Sequence, residues 1–234
     1  MAHTEQLEFV KLVRAGFSDF FKSKHVLEIG SLDINGGVRG LFADCVYTGI
    51  DVAPGPGVDI VCQGQDYDAP DSTYDSVICC EVMEHNPHWR ETFTNMFRLC
   101  KPGGLVVMTC AAPGRPEHGT TRTTPEDSPL TVGIGWDYYR NLTARDFLHG
   151  IDIGGHATLY NFFQNTKSFD LYFVGFRKGG NPPSGAQRYL STLQRHYLKE
   201  YVRATGERLK QRVLIALVGE ERYWRGPVRF WPRS

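Results

Sequence analysis

The chain has 234 residues, enough for one α/β domain with a substantial core or for one domain plus an appendage. Its 26 Lys and Arg balance its 26 Asp and Glu, which excludes an overall electrostatic field that would attract nucleic acid or a membrane. From Gly185 onward, however, 11 Lys or Arg stand against four Asp or Glu, so a basic tail follows an acidic body.

The first predicted elements alternate between helix and strand. Residues 5–21 carry apolar side chains at three- and four-residue intervals, which predicts an amphipathic helix. Residues 88–104 contain a second helical segment, which Pro102 and the two following glycines end. The apolar runs that suit buried parallel strands are HVLEIG, CVYTGID, VDIVCQ, YDSVICCE and GLVVMTCAA. This alternation predicts an α/β fold with a doubly wound parallel sheet covered on both faces.

The pattern changes after Ala112. Residues 113–135 are rich in Pro, Gly, Thr and charge without periodicity, and so long a loop in a compact domain indicates either function or disorder. We predict a helix from near Thr143, then two strands joined by a polar turn within residues 156–178. Residues 179–185 are typical of a linker. The tail predicts one or two amphipathic helices, with apolar positions at Leu190, Leu193, Tyr197, Tyr201, Leu209, Val213, Leu214 and Leu217.

Two acidic residues mark the ends of neighbouring predicted strands. In open parallel sheets, ligands bind beyond the carboxyl ends of the strands, where the strand order reverses. Glu28 and Gly30 end the first strand, and Asp51 ends the second about 20 residues on, the spacing at which a carboxylate takes the ribose hydroxyls of a nucleoside. The sequence therefore predicts a nucleoside-binding cleft, with ordinary strand-end carboxylates as the alternative.

The loop after the first strand disfavours a dinucleotide ligand. A dinucleotide site requires the glycine pattern G-x-G-x-x-G, but five residues separate Gly30 from Gly36. One of them, Asp33, would repel a phosphate. The pattern therefore favours an adenosine that carries positive charge. For Gly36 and Gly37 themselves, a purely structural role at the start of a helical turn is the alternative.

Several motifs, in the right order, resemble the class I S-adenosylmethionine-dependent methyltransferases of the "methyltransferase type 11" branch. They are VLEIGS, YTGIDV, QGQDYDAPDSTYDSVICCEVMEH and CKPGGLVVMT, and the resemblance covers roughly residues 24–178. It implies a Rossmann-like, seven-stranded, mostly parallel sheet with an antiparallel last strand, and S-adenosylmethionine as the cofactor. Together with the composition of the later segments, it predicts a methyltransferase domain over residues 1–178, a linker over 179–185 and a basic amphipathic helical tail over 186–234.

The same resemblance implies a set of cofactor contacts. The amino-acid end of the cofactor would meet Glu28, Gly30 and Ser31, while the ribose hydroxyls would meet Asp51. Glu81 or its neighbours would meet the methionine portion. The adenine would lie near Gln63, Gln65 and Asp66, although many relatives have Asp where Gln63 falls and a tighter glycine loop.

Two histidines are candidates for the catalytic base. Methyl transfer to a hydroxyl requires a proton acceptor. His85 follows the fourth strand and His118 lies in the long loop where the acceptor should arrive; each could equally be a hydrogen-bonded loop residue. The four residues Glu81, Glu84, His85 and His88 have the spacing of a metal-binding helical face, but Pro87 would break that helix, so we predict no metal.

The acceptor loop, about residues 113–140, ends in aromatic residues. Trp136, Tyr138 and Tyr139 suit a polar, hydroxyl-rich acceptor, which favours oxygen methylation of a small molecule or sugar. Two alternatives remain: an RNA-directed methyltransferase that uses the basic tail, and a non-catalytic adenosine-binding module. The apolar positions of the tail favour packing on the body or a homo-oligomer over nucleic-acid binding.

The six cysteines and the N-terminal residues indicate in which cellular compartment the protein would be found. No two cysteines have the Cys-x-x-Cys spacing of a zinc or redox site, and most lie in apolar runs. There is no run of 18 apolar residues, and the first residues lack a signal-peptide pattern. We therefore expect a cytoplasmic protein with reduced core cysteines and no membrane partner.

Overall fold

Seven strands form one mixed sheet in the computed structural model, which describes residues 3–218. The strands are β1 His25–Ile29, β2 Val46–Asp51, β3 Ile60–Val61, β4 Tyr74–Cys80, β5 Cys100–Ala111, β6 Ala157–Asn165 and β7 Asp170–Arg177. Their order across the sheet is β3-β2-β1-β4-β5-β7-β6. β7 runs antiparallel to both of its neighbours, β5 and β6, whereas the other described strand pairs are parallel. The predicted Rossmann-like sheet with an antiparallel last strand is confirmed.

Six α-helices accompany the sheet within residues 3–218. They are α1 Thr4–Gly16, α2 Trp89–Leu99, α3 Pro129–Gly133, α4 Ala144–Gly150, α5 Ile153–His156 and α6 Ala186–Val218. Helices α1 and α6 pack on one face of the sheet, where Phe9 and Leu190 share an apolar cluster with Val107 of β5. Helices α2 and α4 pack on the other face, where Phe93 and Phe147 join a second cluster. Because both faces are covered, the central strands are continuous apolar runs.

Strand pairing brings the predicted site residues to one edge of the sheet. Ile29 of β1 pairs with Ile50 of β2 and, on its other side, with Cys79 of β4. The carboxyl ends of these three parallel strands are therefore level with one another. The residues that follow them share one crevice. It lies where the strand order reverses, with β2 on one side of β1 and β4 on the other.

The connection from β1 to β2 differs from a regular helical crossover. Only a single 3₁₀ turn, Arg39–Leu41, occurs there. Gly36, Gly37 and Gly40 all fall in this stretch, and each glycine costs a helix about 1 kcal/mol relative to alanine. The first predicted helix is also shorter than residues 5–21, because α1 ends at Gly16 and a 3₁₀ turn, Ser18–Phe21, completes the segment.

Helix α6 is the predicted tail helix, and its first half belongs to the core. Leu190, Leu193 and Tyr197 are buried against α1 and the sheet, whereas Tyr201, predicted on the same stripe, is 45% exposed. Leu209 and Val213 are exposed too. The side chains of Leu214 and Leu217 and all of residues 219–234 lie outside the described part, so the division of the chain at 179–185 stays a prediction. No described helix has the length and apolarity to cross a bilayer.

Candidate functional site

Gly30 forms the turn at the end of β1. Its φ angle is +79°, a region that favours glycine, and a Cβ atom placed on it would lie 2.0 Å from Cγ2 of Val82. The backbone of the β1 turn therefore passes directly against the turn after β4. This close approach brings the ends of the two strands together at the crevice.

Replacing Gly30 with alanine is expected to destabilise the fold by roughly 2–4 kcal/mol, because the left-handed backbone is strained and Val82 must move. Denaturant unfolding measures the loss. Gly36 is a matched control: its φ is +103°, but a Cβ there would meet nothing within 4 Å. Gly36→Ala should therefore lose only the backbone strain, and an equal loss in both variants would contradict the packing argument.

Glu28 is a buried carboxylate on β1. Its Oε2 accepts a hydrogen bond from the hydroxyl of Tyr47 at 2.8 Å. Burial raises the pKa of Glu28 to about 7, against the opposing effects of the Tyr47 hydrogen bond and the positive charge of Arg39. Near neutral pH the side chain can therefore gain or lose its charge when a ligand arrives.

A cavity adjoins Glu28 and contains two further polar groups. It lies between α1 and the loop after β1, and its lining includes Gln6, Glu28, Gly30, Ser31 and Arg39. Oε1 of Gln6 and Oγ of Ser31 are buried without a hydrogen-bond partner among residues 3–218. Buried polar atoms are normally paired, so these two are candidates for binding the polar end of a ligand.

Asp51 ends β2 with its carboxylate partly satisfied by the backbone. Oδ2 accepts from the amide of Leu32 at 3.1 Å, and Oδ1 accepts from the amide of Val52 at 2.8 Å. Burial raises the pKa of Asp51 above its usual value. Each oxygen keeps a second lone pair, so the side chain can still accept from two neighbouring hydroxyls.

A second cavity begins at Asp51 and shares Gly30 with the first. Its walls include Val52, Cys62 and Gly64 below, and Leu130 and Trp136 of the long loop above. The two cavities together run across the carboxyl ends of β2, β1 and β4. An elongated ligand with an apolar planar part and a charged end fits this shape.

The predicted adenine contacts form a small hydrogen-bond network beside this cavity. Nε2 of Gln65 donates to Oε1 of Gln63 at 2.5 Å and to Oδ2 of Asp66 at 3.3 Å. The cavity wall at this point is formed instead by their neighbours Cys62 and Gly64. Sequence reasoning chose the polar side chains of this segment and missed the small ones; contact of Gln63, Gln65 and Asp66 with a ligand stays a prediction.

Glu81 is directed into a buried ionic cluster. Its φ is +55°, and its Oε1 accepts from the hydroxyl of Thr109 at 2.9 Å. Oε2 lies 3.6 Å from Nε2 of His3 and 3.8 Å from Nη2 of Arg115. Burial opposes the charge of Glu81, but His3 and Arg115 outweigh it and hold the pKa low. The predicted contact of Glu81 with the methionine portion stays a prediction.

Asp170 completes this cluster from the start of β7. The fully buried carboxylate accepts from Nη1 of Arg115 at 2.5 Å, and lies 3.2 Å from Nε2 of His3. Burial lowers the pKa of His3, but its hydrogen bonds to Asp170 and Glu81 raise it to about 10. The cluster therefore joins the segment before α1, the end of β4, the start of β7 and the long loop.

The two histidines predicted as catalytic candidates meet beneath the long loop. The rings of His85 and His118 lie edge to face with centroids 5.0 Å apart, and Tyr139 packs against both. Burial lowers the pKa of His85 to about 3 and also lowers that of His118, so both rings are neutral at physiological pH. His85 also lines the cavity that starts at Asp51.

The long loop is held in place by its own polar contacts. Arg122 forms ion pairs with Glu117 and Asp137, and Asp137 also accepts from the backbone and hydroxyl of Thr121. The ring of Trp136 lies 5.9 Å from that of His88. The predicted acceptor loop therefore forms a structured cover over the crevice, with a 3₁₀ turn at Pro125–Asp127 followed by α3.

A family model described as a methyltransferase domain matches residues 1–123, slightly more than half of the chain. No curated protein sequence matches significantly. Phosphoethanolamine N-methyltransferase 2 of Haemonchus contortus, solved with S-adenosyl-L-methionine, is 12% identical, with a TM-score of 0.52, over 73% of this chain and 52% of its own.

Two other solved structures show a similar arrangement. The 1,6-didemethyltoxoflavin-N1-methyltransferase of Burkholderia thailandensis is 11% identical, with a TM-score of 0.47, over 76% of this chain and 92% of its own. A SAM-dependent methyltransferase of Archaeoglobus fulgidus is 15% identical, with a TM-score of 0.47, over 73% of this chain and 94% of its own. At such low identities a structural likeness concerns the fold alone.

Proposed function

Because the chain belongs to the methyltransferase domain family, whose class I members use S-adenosylmethionine, we propose that it methylates a hydroxyl group of a small molecule or sugar. The cofactor supplies a methyl group on a positively charged sulfur; as the oxygen–carbon bond forms, the carbon–sulfur bond breaks and the sulfur keeps the electron pair. The observation that carries the choice of acceptor is the contact between His85, which lines the proposed cofactor cavity, and His118 of the long loop.

The crevice suits this cofactor in both shape and charge. Asp51 can accept from the two ribose hydroxyls, and Val52 and Trp136 provide apolar walls for the adenine. At the other end, Glu28 and the unpaired Oε1 of Gln6 can accept from the ammonium group of the methionine portion. A molecule with phosphates would meet carboxylates instead of donors at these strand ends.

The affinity for S-adenosylmethionine is expected to rise as the pH increases from 6 to 8. Glu28, with a pKa of about 7, is mostly protonated at the lower pH and charged at the higher one, and only the charged form attracts an ammonium group. Isothermal titration at several pH values measures this dependence for the wild type and for Glu28→Gln, which should lose most of it.

Tyr47→Phe is the matched variant for this pH dependence. It removes the hydrogen bond that stabilises the charged carboxylate, so the rise in affinity should move to higher pH. Titration of the cofactor itself contributes equally in all three proteins. Identical pH profiles for the wild type and Glu28→Gln would show that Glu28 does not contact the cofactor.

The acceptor is proposed to enter beneath the long loop, beside the two histidines. Methyl transfer depends mainly on holding donor and acceptor in line, which can contribute as much as ~7–11 kcal/mol. A hydroxyl must also lose its proton. His118 has a free lone pair on Nε2 and is the stronger candidate, because the pKa of about 3 makes His85 a weak proton acceptor. Tyr139 and Trp136 offer aromatic surfaces for a ring-shaped acceptor.

Turnover against matched acceptor panels tests the proposal. S-adenosylhomocysteine release is followed with catechols and sugars that carry neighbouring hydroxyls, and with primary and secondary amines of similar size. We expect turnover with hydroxylated acceptors, and mass spectrometry should find the methyl group on oxygen. Turnover confined to amines would refute oxygen methylation, while failure to bind the cofactor would refute the proposal as a whole.

The RNA-directed alternative loses part of its basis in the structure. It relied on a free basic tail, whereas Leu190, Leu193 and Tyr197 anchor the first half of α6 in the core. Lys167 of the β6–β7 turn also pairs with Glu200 of this helix at 3.1 Å. We therefore keep the small-molecule or sugar acceptor as the proposal.

A further inference from the structure

Glu84, His85 and His118 converge at one point beside the cofactor cavity. Each offers one potential metal ligand atom, and these atoms lie within 4.8 Å of one another. Glu84 and His85 are buried in the turn after β4, and His118 reaches them from the long loop. A side chain at Gly119 would strike the His85 ring, since its Cβ would lie 2.7 Å from Cε1. The loop can therefore approach His85 this closely only with glycine there.

Two atoms of this cluster are buried without a partner. Oε1 of Glu84 accepts from the amide of Ala111 at 3.0 Å, which fixes the carboxylate. Its other oxygen, Oε2, has no hydrogen-bond partner within the described chain, and neither has Nδ1 of His85. Buried polar atoms are normally paired, and leaving them unpaired is costly, so each of these two atoms is a candidate for binding a ligand.

His118 is oriented in the way that metal-binding histidines are. Its Nδ1 lies 3.1 Å from the carbonyl oxygen of Pro116, a contact that requires the proton on Nδ1. The lone pair is then on Nε2. Histidine ligands of metals commonly donate their other ring N–H to a backbone carbonyl, which fixes the tautomer and the ring.

We infer that Glu84, His85 and His118 bind one divalent transition-metal ion, and that this ion holds the oxygen of the methyl acceptor. Two imidazoles and one carboxylate form a ligand set that leaves coordination positions open for substrate. Ligand atoms within 4.8 Å of one another can reach typical metal–ligand distances of about 2.0–2.2 Å through small movements of their side chains. The role given to the ion rests on the proposed function.

A second group of charged side chains lies beside this cluster. Its carboxylates, Glu81 and Asp170, face the cations His3 and Arg115, so their charges balance. Burial and the charge of Glu81 raise the pKa of Glu84, so an ion that binds here replaces a proton on this carboxyl group. His3, Glu81 and Asp170 are also close enough to hold an ion, but there the guanidinium of Arg115 already pairs with both carboxylates.

This inference replaces the sequence-based expectation of no metal. That expectation considered only a site on one helix, formed by Glu81, Glu84, His85 and His88. The structure forms a turn at this point, and the third ligand comes from the long loop, which carries no periodic signal. His88 instead packs against Trp136.

An ion at this position would change how the acceptor loses its proton. A hydroxyl bound to a divalent ion is more acidic, so it releases its proton to water at neutral pH. The two histidines would then act as ligands, and the oxygen would be held at a fixed position facing the methyl donor. Acceptors with two neighbouring hydroxyls would bind best, because they can occupy two open positions.

Metal binding to the full chain tests the inference without reference to activity. After removal of metals with a chelator, the protein is titrated with Co²⁺ and with Zn²⁺; the visible absorption of Co²⁺ reports its ligands, and elemental analysis gives the stoichiometry. We expect one ion per chain in the wild type. The Kd should rise about 100-fold or more in His118→Ala and in Glu84→Gln, and remain unchanged in His149→Ala, which alters an exposed histidine on α4.

The measurements can refute the metal site without refuting the proposed function. Circular dichroism confirms folding of the variants, and His118→Gln provides a more conservative change at the same position. If the wild type binds less than one ion per chain, or if His118→Ala binds as tightly as the wild type, the metal site is refuted. Cofactor binding by the chelated protein is measured in parallel: if it persists while metal binding fails, the proposed function survives.

Discussion

Asp51→Ala is expected to weaken the binding of S-adenosylmethionine and S-adenosylhomocysteine by about 100-fold or more. The side chain ends β2 inside the crevice, and its two oxygens are held by the amides of Leu32 and Val52. Hydrogen bonds to a charged group contribute about 1.5–3 kcal/mol each, and two ribose hydroxyls would lose them together. The same change also releases the loop after β1 from its contact at Leu32.

Isothermal titration measures this loss, and Asp51→Asn separates its two causes. Asparagine keeps one acceptor oxygen for the loop but lacks the charge, so its affinity should fall between those of the wild type and the alanine variant. Asp71→Ala is the control, because that exposed carboxylate pairs with Arg98 outside the crevice. Unchanged cofactor affinity in Asp51→Ala would remove the nucleoside site from this strand end.

Asp170→Ala is expected to lower the free energy of unfolding by about 3–5 kcal/mol. The carboxylate is fully buried and faces both Arg115 and His3. Its removal leaves two partly buried cations, His3 and Arg115, with only Glu81 as a partner, which costs more than the loss of an exposed ion pair. Because Arg115 lies at the start of the long loop, the cofactor affinity should fall as well.

Urea unfolding measures the change in Asp170→Ala and in Asp170→Asn, which keeps part of the hydrogen bonding and should lose less. Lys167→Ala is the control, since it breaks the exposed pair with Glu200 and should change stability by less than about 1 kcal/mol. A loss of that small size in Asp170→Ala would mean that the cluster contributes little to the fold.

The sheet could be predicted because its signals are local. The apolar runs of β1, β4 and β5 are short and uninterrupted, and α2 shows its buried face through Phe93, Met96 and Phe97. Thr143 and Asp146 form the capping box that begins α4 where a helix was predicted. The segment between β1 and β2 has no such signal, and its glycines leave only a 3₁₀ turn.

Sequence reasoning could predict only those residues of the candidate site that lie at the ends of strands. Glu28 and Asp51 lie at the tips of paired strands, so the topology alone brings them together. The ionic cluster instead joins His3 to Asp170, and the inferred metal ligands join His85 to a loop residue 33 positions later. Such contacts depend on tertiary packing and have no periodic pattern that one sequence could show.

The cover formed by Leu130 and Trp136 has a consequence for the kinetics of the enzyme. The proposed cofactor cavity lies beneath this segment, so we expect the donor to load before the acceptor closes the remaining opening. Such a geometry predicts an ordered reaction in which the methylated product departs first and the spent donor last. S-adenosylhomocysteine would then inhibit competitively with respect to the donor, and its release would limit the rate of repeated turnovers.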